Sequence, residues 1–191
     1  MKVLGIAGSP RRGGNTDLLL ERAIAGARDG GGQTEMVVLS ELRIAPCQHC
    51  DGCLAEGRCV IDDDMQGLYP KLREADRLIL ASPVFFMGIA AQTKAMIDRC
   101  QALWAIKYVL KRPVALNTDS ERKGLFLSVG GTGFSKLFEP SLATIKSFFV
   151  VLDMKMAGAL TYAKVDGKGA IRSHPTALQD AYEAGRRLIE K

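Results

Sequence analysis

Cys47, Cys50, Cys53 and Cys59 fall within thirteen residues, at C-x2-C-x2-C-x5-C spacing. Thiolates are the ligands of soft metals, so three at i, i+3 and i+6 with a fourth after a short return can converge on one centre. Widely separated C-x2-C pairs typify structural zinc, whereas one continuous stretch suits a cuboidal iron–sulfur cluster. The run differs from the bacterial ferredoxin spacing: five residues precede the last cysteine and Val60, not proline, follows it. All four thiols are thus free to serve one centre. Zinc, free thiols and reversible disulfide chemistry stay open on the residues alone. Pro46 and Gly52 are placed to turn the chain tightly, His49 reads as solvated, and Cys100, on an apolar stripe, reads as a buried core or interface thiol.

A second loop is suited to hold an anion. Gly8-Ser9-Pro10-Arg11-Arg12-Gly13-Gly14-Asn15-Thr16 joins an apolar run to a helical pattern. Its glycines let backbone approach a ligand, the helix start presents unpaired amides, and Ser9, Gly14, Asn15 and Thr16 add short contacts. Arg11 or Arg12 supplies charge. The loop is neither G-x-G-x-x-G nor a Gly-Lys-Ser/Thr nucleotide loop, so a terminal phosphate fits it better than a pyrophosphate.

Two more loops complete the set. In Ser82-Pro83-Val84-Phe85-Phe86-Met87-Gly88, exposed amides and apolar side chains together suit a flat heteroaromatic ring such as a flavin. Gly130-Gly131-Thr132-Gly133 permits a further close backbone approach.

These loops need a frame in which they share an edge. Lys2 to Ala7, Thr34 to Leu39, Arg77 to Ser82, Gly124 to Val129 and Met154 to Thr161 read as five strands. Helical stripes separate them: Leu20, Ala23, Ile24, Ala27 after caps at Asn15 and Thr16; Leu68, Leu72, Ala75 after Asp62-Asp63-Asp64; Thr93, Met96, Ile97, Cys100; and Ser141 to Leu152. A last helix carries Leu178, Ala181, Tyr182 and Gly185, and 105–122 is a basic, turn-rich excursion. The alternation predicts an α/β fold, a five-stranded parallel sheet of flavodoxin-like order 2-1-3-4-5 with helices on both faces. The segments 8–16, 43–64, 83–88 and 130–133 then leave the sheet on one rim.

The whole chain, 1–191, reads as a single domain, since 191 residues give one substantial core. With 47% apolar and 25% charged residues, disorder is excluded. The net charge of +5 is scattered and aromatics make up only 6%, which argues against nucleic acid and for an anionic small molecule. The N-terminal apolar run stops at Gly8, too soon for a signal-peptide core, and no run reaches membrane-spanning length. A cytoplasmic protein without membrane contact is predicted, where clustered cysteines stay reduced.

The chain resembles the NADPH-dependent FMN reductase-like branch of the flavodoxin superfamily, and within it the iron–sulfur flavoproteins. The carrying residues are Gly8-Ser9-Pro10-Arg11 with Asn15-Thr16, the cysteine run closed by Asp63-Asp64-Met65, Ser82-Pro83-Val84-Phe85, Lys94-Ala95 with Asp98-Arg99, Gly130-Gly131, and Asp166-Gly167-Lys168-Gly169. The resemblance implies FMN held by Ser9, Arg11, Asn15, Thr16, the Pro83 to Gly88 loop and Gly130-Gly131. It also implies a [4Fe–4S] cluster on Cys47, Cys50, Cys53 and Cys59, NAD(P)H as donor, and a homodimer or homotetramer. Phe85 stands where relatives often carry tyrosine.

The function expected is that of an FMN-dependent oxidoreductase exchanging electrons with the cluster and with a redox partner protein or small-molecule acceptor. The cofactors carry the chemistry, so no catalytic acid or base is named. Two alternatives are an NAD(P)H-dependent flavin or quinone reductase with zinc or free thiols in the loop, and a non-enzymatic thiol redox sensor. Lys94, Asp98 and Arg99 read as a solvated or intersubunit charge group.

Overall fold

The computed structural model describes residues 1–117 and 121–190. Strands β1 (Lys2–Ala7), β2 (Gln33–Val38), β3 (Arg77–Phe85), β5 (Arg122–Val129) and β6 (Met154–Tyr162) form a parallel sheet in the order β2-β1-β3-β5-β6, with the two-residue β4 (Gly88–Ile89) antiparallel to the end of β3. This is the expected five-strand order with one short hairpin added. The central strands β1 and β3 are buried along nearly their whole length, which is why their sequences run apolar rather than alternating.

Helices cover both faces. On one, α1 (Asn15–Asp29) and α6 (Ala177–Ile189) bury Leu19, Leu20, Ala23, Ala181 and Leu188 against Val3, Ile79 and Leu127. On the other, α2 (Met65–Glu74), α3 (Ala91–Arg99) and α5 (Glu139–Val151) bury Leu68, Leu72, Met96, Ile145 and Phe148 against Ile6, Leu78 and Phe126. Arg122 is buried where α2 and α5 end and donates to the carbonyls of Ala75, Leu72 and Leu152. Burial there pulls its guanidinium down to about 10.

The predicted excursion differs. Residues 101–109 are helical, α4 (Gln101–Trp104) running into a π-helical turn, Ala105–Val109; residues 118–120 lie outside the described residues. The apolar set Ala102, Leu103 and Ile106 drives this helix onto the core, outweighing the basic residues that suggested a loop. Among the described residues no helix is long and apolar enough to cross a membrane.

Candidate functional site

The cleft sits where the parallel strands end. Ser9, Arg11, Gly14, Asn15 and Thr16 line one side, Pro83, Val84 and Phe85 another, and Val129 with Gly131, then Val165, Asp166 and Lys168, the remainder. Strand order reverses between β1 and β3, so the loops leaving them diverge and open a crevice.

The first loop is a wound anion cradle. Ser9 is buried; its Oγ accepts the Arg11 amide at 3.1 Å and donates to the Arg11 carbonyl at 3.2 Å. Gly14, not Asn15 or Thr16, occupies the cap position of α1, and no side chain caps it. Asp17 instead reaches back to the Gly13 amide at 2.9 Å. Burial pushes the Asp17 carboxyl above its ordinary value, against the pull of that amide and of Arg12. Leu18 is the first amide of α1 to bond one turn back, to the Gly14 carbonyl at 3.1 Å, which leaves the first-turn amides of Asn15, Thr16 and Asp17 for a ligand.

The two arginines separate. Arg12 pairs with Glu41 at 3.2 Å and with Asp17 at 3.7 Å. Arg11 lines the cleft and, with Lys168, makes no ion pair among the described residues. Asn15 turns to the chain rather than inward: its Nδ2 donates to the Gly167 carbonyl at 2.9 Å and its Oδ1 accepts the Ile171 amide at 3.2 Å. It therefore orders the 166–171 loop that brings Lys168 to the cleft. Sequence reasoning omitted Val129, Val165, Asp166 and Lys168; the glycine-rich exit of the last strand on the same rim was the signal for the last two.

Of the ring-side loop, Pro83 to Phe85 continue β3 instead of forming a loop. Phe86 and Met87, at φ 47° and 67°, are the central residues of the β3–β4 hairpin and do not line the cleft. Both left-handed angles are what a two-residue hairpin demands, and without glycine they are strained. Gly88 pairs with Phe85 in that hairpin, and Gly130 is held by the Tyr162 carbonyl at 2.9 Å beside Leu137. The wall behind is rigid: the Ser82 Oγ accepts the Ala90 amide at 3.0 Å, and Ser128 Oγ donates to the Ser82 carbonyl at 2.8 Å.

The cysteine segment leaves the same edge but folds against α3 and α4. Its base is stitched shut: Asp64 accepts the Arg43 amide at 2.7 Å, and Asp63 accepts those of Ala45 at 2.9 Å and Met65 at 3.1 Å. Left-handed turns fall on His49 and Asp51, φ 50° and 59°, whereas Gly52 serves a close approach, a Cβ there meeting Val60 at 2.8 Å. All four thiols line one small hollow together with His49, Asp51, Arg99, Gln101 and Ala102. Cys50 is exposed, the other three are half-buried, and burial pushes the Cys53 thiol up. Among the described residues no three His, Cys, Asp or Glu side chains stand as a metal-ligating group. Thiols must lose their protons to ligate a metal, so the geometry of such a set is coupled to metal binding.

Arg99 overturns the solvated-charge expectation. It is 1% exposed and binds Asp63 through two nitrogens at 2.5 and 3.1 Å, while Lys94 and Asp98 form an exposed pair at 2.8 Å. Burial pulls the Asp63 carboxyl upward, but Arg99 and the two amides outweigh it and hold it below its usual value. Cys100 is a core thiol, as expected, pushed up by burial. Among the described residues none lines both the cleft and the cysteine hollow.

Both donor sets fit the groups their chemistry suggests. The cleft joins unpaired cations at a helix start to apolar walls of Val84, Phe85, Val129 and Val165, which suits a phosphate-bearing flat ring. The hollow offers four thiols and a buried arginine nitrogen, Nε, with no hydrogen-bond partner.

The chain is 37% identical over 160 residues to the iron-sulfur flavoprotein MJ1083 of Methanocaldococcus jannaschii, covering 83% of this chain and 76% of that one. It is 40% identical over 132 residues to an iron-sulfur flavoprotein of Methanosarcina thermophila, covering 69% of this chain but only 64% of that one. Among solved structures, an NAD(P)H:quinone oxidoreductase from Methanothermobacter marburgensis superposes at a TM-score of 0.74 with 20% identity, covering 100% of this chain and 98% of that one. An archaeal flavodoxin matches at 0.59 with 13% identity, covering 100% of this chain and 97% of that one, and these likenesses establish a flavodoxin-like fold. The family described as NADPH-dependent FMN reductase matches residues 1–165, and the chain belongs to it.

Proposed function

We propose that the protein is an FMN-dependent oxidoreductase that takes electrons from NAD(P)H and passes them, through a [4Fe–4S] cluster on Cys47, Cys50, Cys53 and Cys59, to a redox partner protein or a small acceptor. The carrying observation is Arg11 lining the cleft from the loop before α1, opposite the apolar strand ends, with no ion-pair partner among the described residues. When bound, FMN handles electrons in pairs or singly and the cluster handles them singly, which links two-electron to one-electron chemistry.

The chain's own part is placement. Arg11, Lys168 and the first-turn amides of α1 neutralise the phosphate, an electrostatic contribution of about 1.5–3 kcal/mol per charged hydrogen bond. Ser9 and Thr16 fill in around it, and Asn15 holds the Lys168 loop closed. Val84, Phe85, Val129 and Val165 keep water from the ring. The names of the two archaeal relatives support the cluster.

The cleft and the cysteine hollow are lined by separate residues, and we infer that the chain works as a homo-oligomer. Exposed Phe86 beside the cleft and exposed Trp104, Tyr108 and Val109 beyond the cysteine hollow support a homodimer or homotetramer.

Anaerobic purification followed by flavin, iron, acid-labile sulfide and zinc assays tests this reading. Stoichiometric FMN with iron and sulfide in equal amounts is expected, and Cys53→Ser should remove the broad visible absorption while sparing the flavin bands. FMN with zinc or bare thiols would establish a plain NAD(P)H-dependent flavin or quinone reductase instead. Protein that takes up no flavin would sink both and favour a thiol sensor.

A further inference from the structure

We propose that Arg99 is a positioning residue for the cysteine-held group, a built-in counter-charge whose Nε–H is kept for a sulfur acceptor in the hollow. The inference rests on the cluster reading above.

The guanidinium is fixed from several sides. One terminal nitrogen donates to the Ala45 carbonyl at 3.0 Å and to Asp63 at 2.5 Å; the other donates to the Ile61 carbonyl at 3.2 Å and to Asp63 at 3.1 Å. The Arg99 backbone is held as well, its carbonyl accepting from the Tyr69 hydroxyl at 2.8 Å. Every donor of the side chain is thereby used except Nε, which is buried and has no hydrogen-bond partner among the described residues. Buried donors are nearly always satisfied, so a lone one inside a rigid arrangement points to a missing acceptor. The acceptors nearest in kind are the thiols, since Arg99 and the four cysteines line the same hollow.

Charge argues the same way. Four thiolates bring negative charge into a half-buried pocket, where a cation is weakly screened. The Asp63 carboxylate lies on the two terminal nitrogens, so it compensates the guanidinium at its fork and leaves the Nε–H side unmatched. A cation so placed favours the more reduced, more negative form of the bound group, and hydrogen bonds to sulfur act in the same sense. A simple clip for the loop base would need the Ala45, Ile61 and Asp63 contacts but no orphaned nitrogen.

Opposite substitutions separate the two roles. Arg99→Gln leaves Asp63 uncompensated, Asp63→Asn leaves Arg99 uncompensated, and Arg99→Lys keeps the charge without the fork. After anaerobic reconstitution with iron and sulfide, metal content, circular dichroism and the midpoint potential in a mediated redox titration are recorded. The expected result is a potential lowered in Arg99→Gln and raised in Asp63→Asn, each by about tenfold in the one-electron equilibrium or more, ~59 mV, with Arg99→Lys in between. Loaded variants with an unshifted potential, or shifts of the same sign, overturn the proposal. So does loss of iron from all three variants alike with folding intact, which marks a clip. Wild-type protein that takes up no iron and sulfide overturns the cluster reading itself, a result distinct from either.

Discussion

Gly8 and Thr93 meet so closely at the head of the cleft that a Cβ on Gly8 would lie 2.1 Å from the Thr93 hydroxyl oxygen and 2.8 Å from the Ala81 carbonyl. The same hydroxyl donates to the Gly8 carbonyl at 3.2 Å, and the Gly8 amide donates to Ala81 at 2.7 Å. The turn into the anion cradle is thus clamped to β3 and α3 with no room for a methyl group. Gly8→Ala should cost about 1–3 kcal/mol through overpacking and weaken FMN binding by displacing Ser9. Chemical denaturation with and without FMN checks it; unchanged stability and affinity would show the contact to be unimportant.

Arg11 and Arg12 are adjacent in sequence but not in role. Arg11→Gln should weaken FMN by roughly 10–100-fold while leaving riboflavin, which lacks the phosphate, almost untouched. Arg12→Gln, whose partners are Asp17 and Glu41, should change FMN affinity by less than about threefold. Fluorescence titration of both flavins decides between them, and equal losses in the two variants would refute the assignment.

Asn15 ties the cleft to the 166–171 loop through two hydrogen bonds. Asn15→Ala should release that loop, at a cost of about 1–2 kcal/mol. Faster amide exchange confined to 166–171, with slower FMN association, is the expected signature; exchange unchanged there would mean that other contacts hold the loop.

Asp153 supplies a pH-dependent anchor. It accepts the Val114 amide at 2.9 Å and pairs with Lys107 at 2.7 Å. Burial pulls its carboxyl upward, but Lys107 and the Val114 and Ala115 amides outweigh this and hold it below its ordinary value. A depressed carboxyl stabilises the fold fully above the unfolded value of about 4, and that stability is lost as pH falls through the lower folded value. Asp153→Asn tolerates the left-handed φ of 58°. It should cost about 1–2 kcal/mol at neutral pH, with the gap to wild type closing below about pH 4. A gap independent of pH would assign the loss to packing.

Much was legible in the chain before folding because it is written locally. Buried parallel strands are apolar throughout, helix stripes recur every three to four residues, and glycines mark the cradle, so strand order and the anion loop followed, whereas Pro83 to Phe85 proved to be strand. The thiol spacing was equally local. Residues whose role depends on distant partners were not legible. Asp166 and Lys168 reach the cleft on a loop that Asn15 helps to hold, Arg12 is withdrawn by Glu41, and Arg99 lies beside the cysteines because Asp63, thirty-six residues earlier, meets it there. Hydrophobic period and turn chemistry are properties of neighbours in sequence, whereas burial of a charge and the choice of its partner arise only when helices from separate crossovers pack on one sheet face.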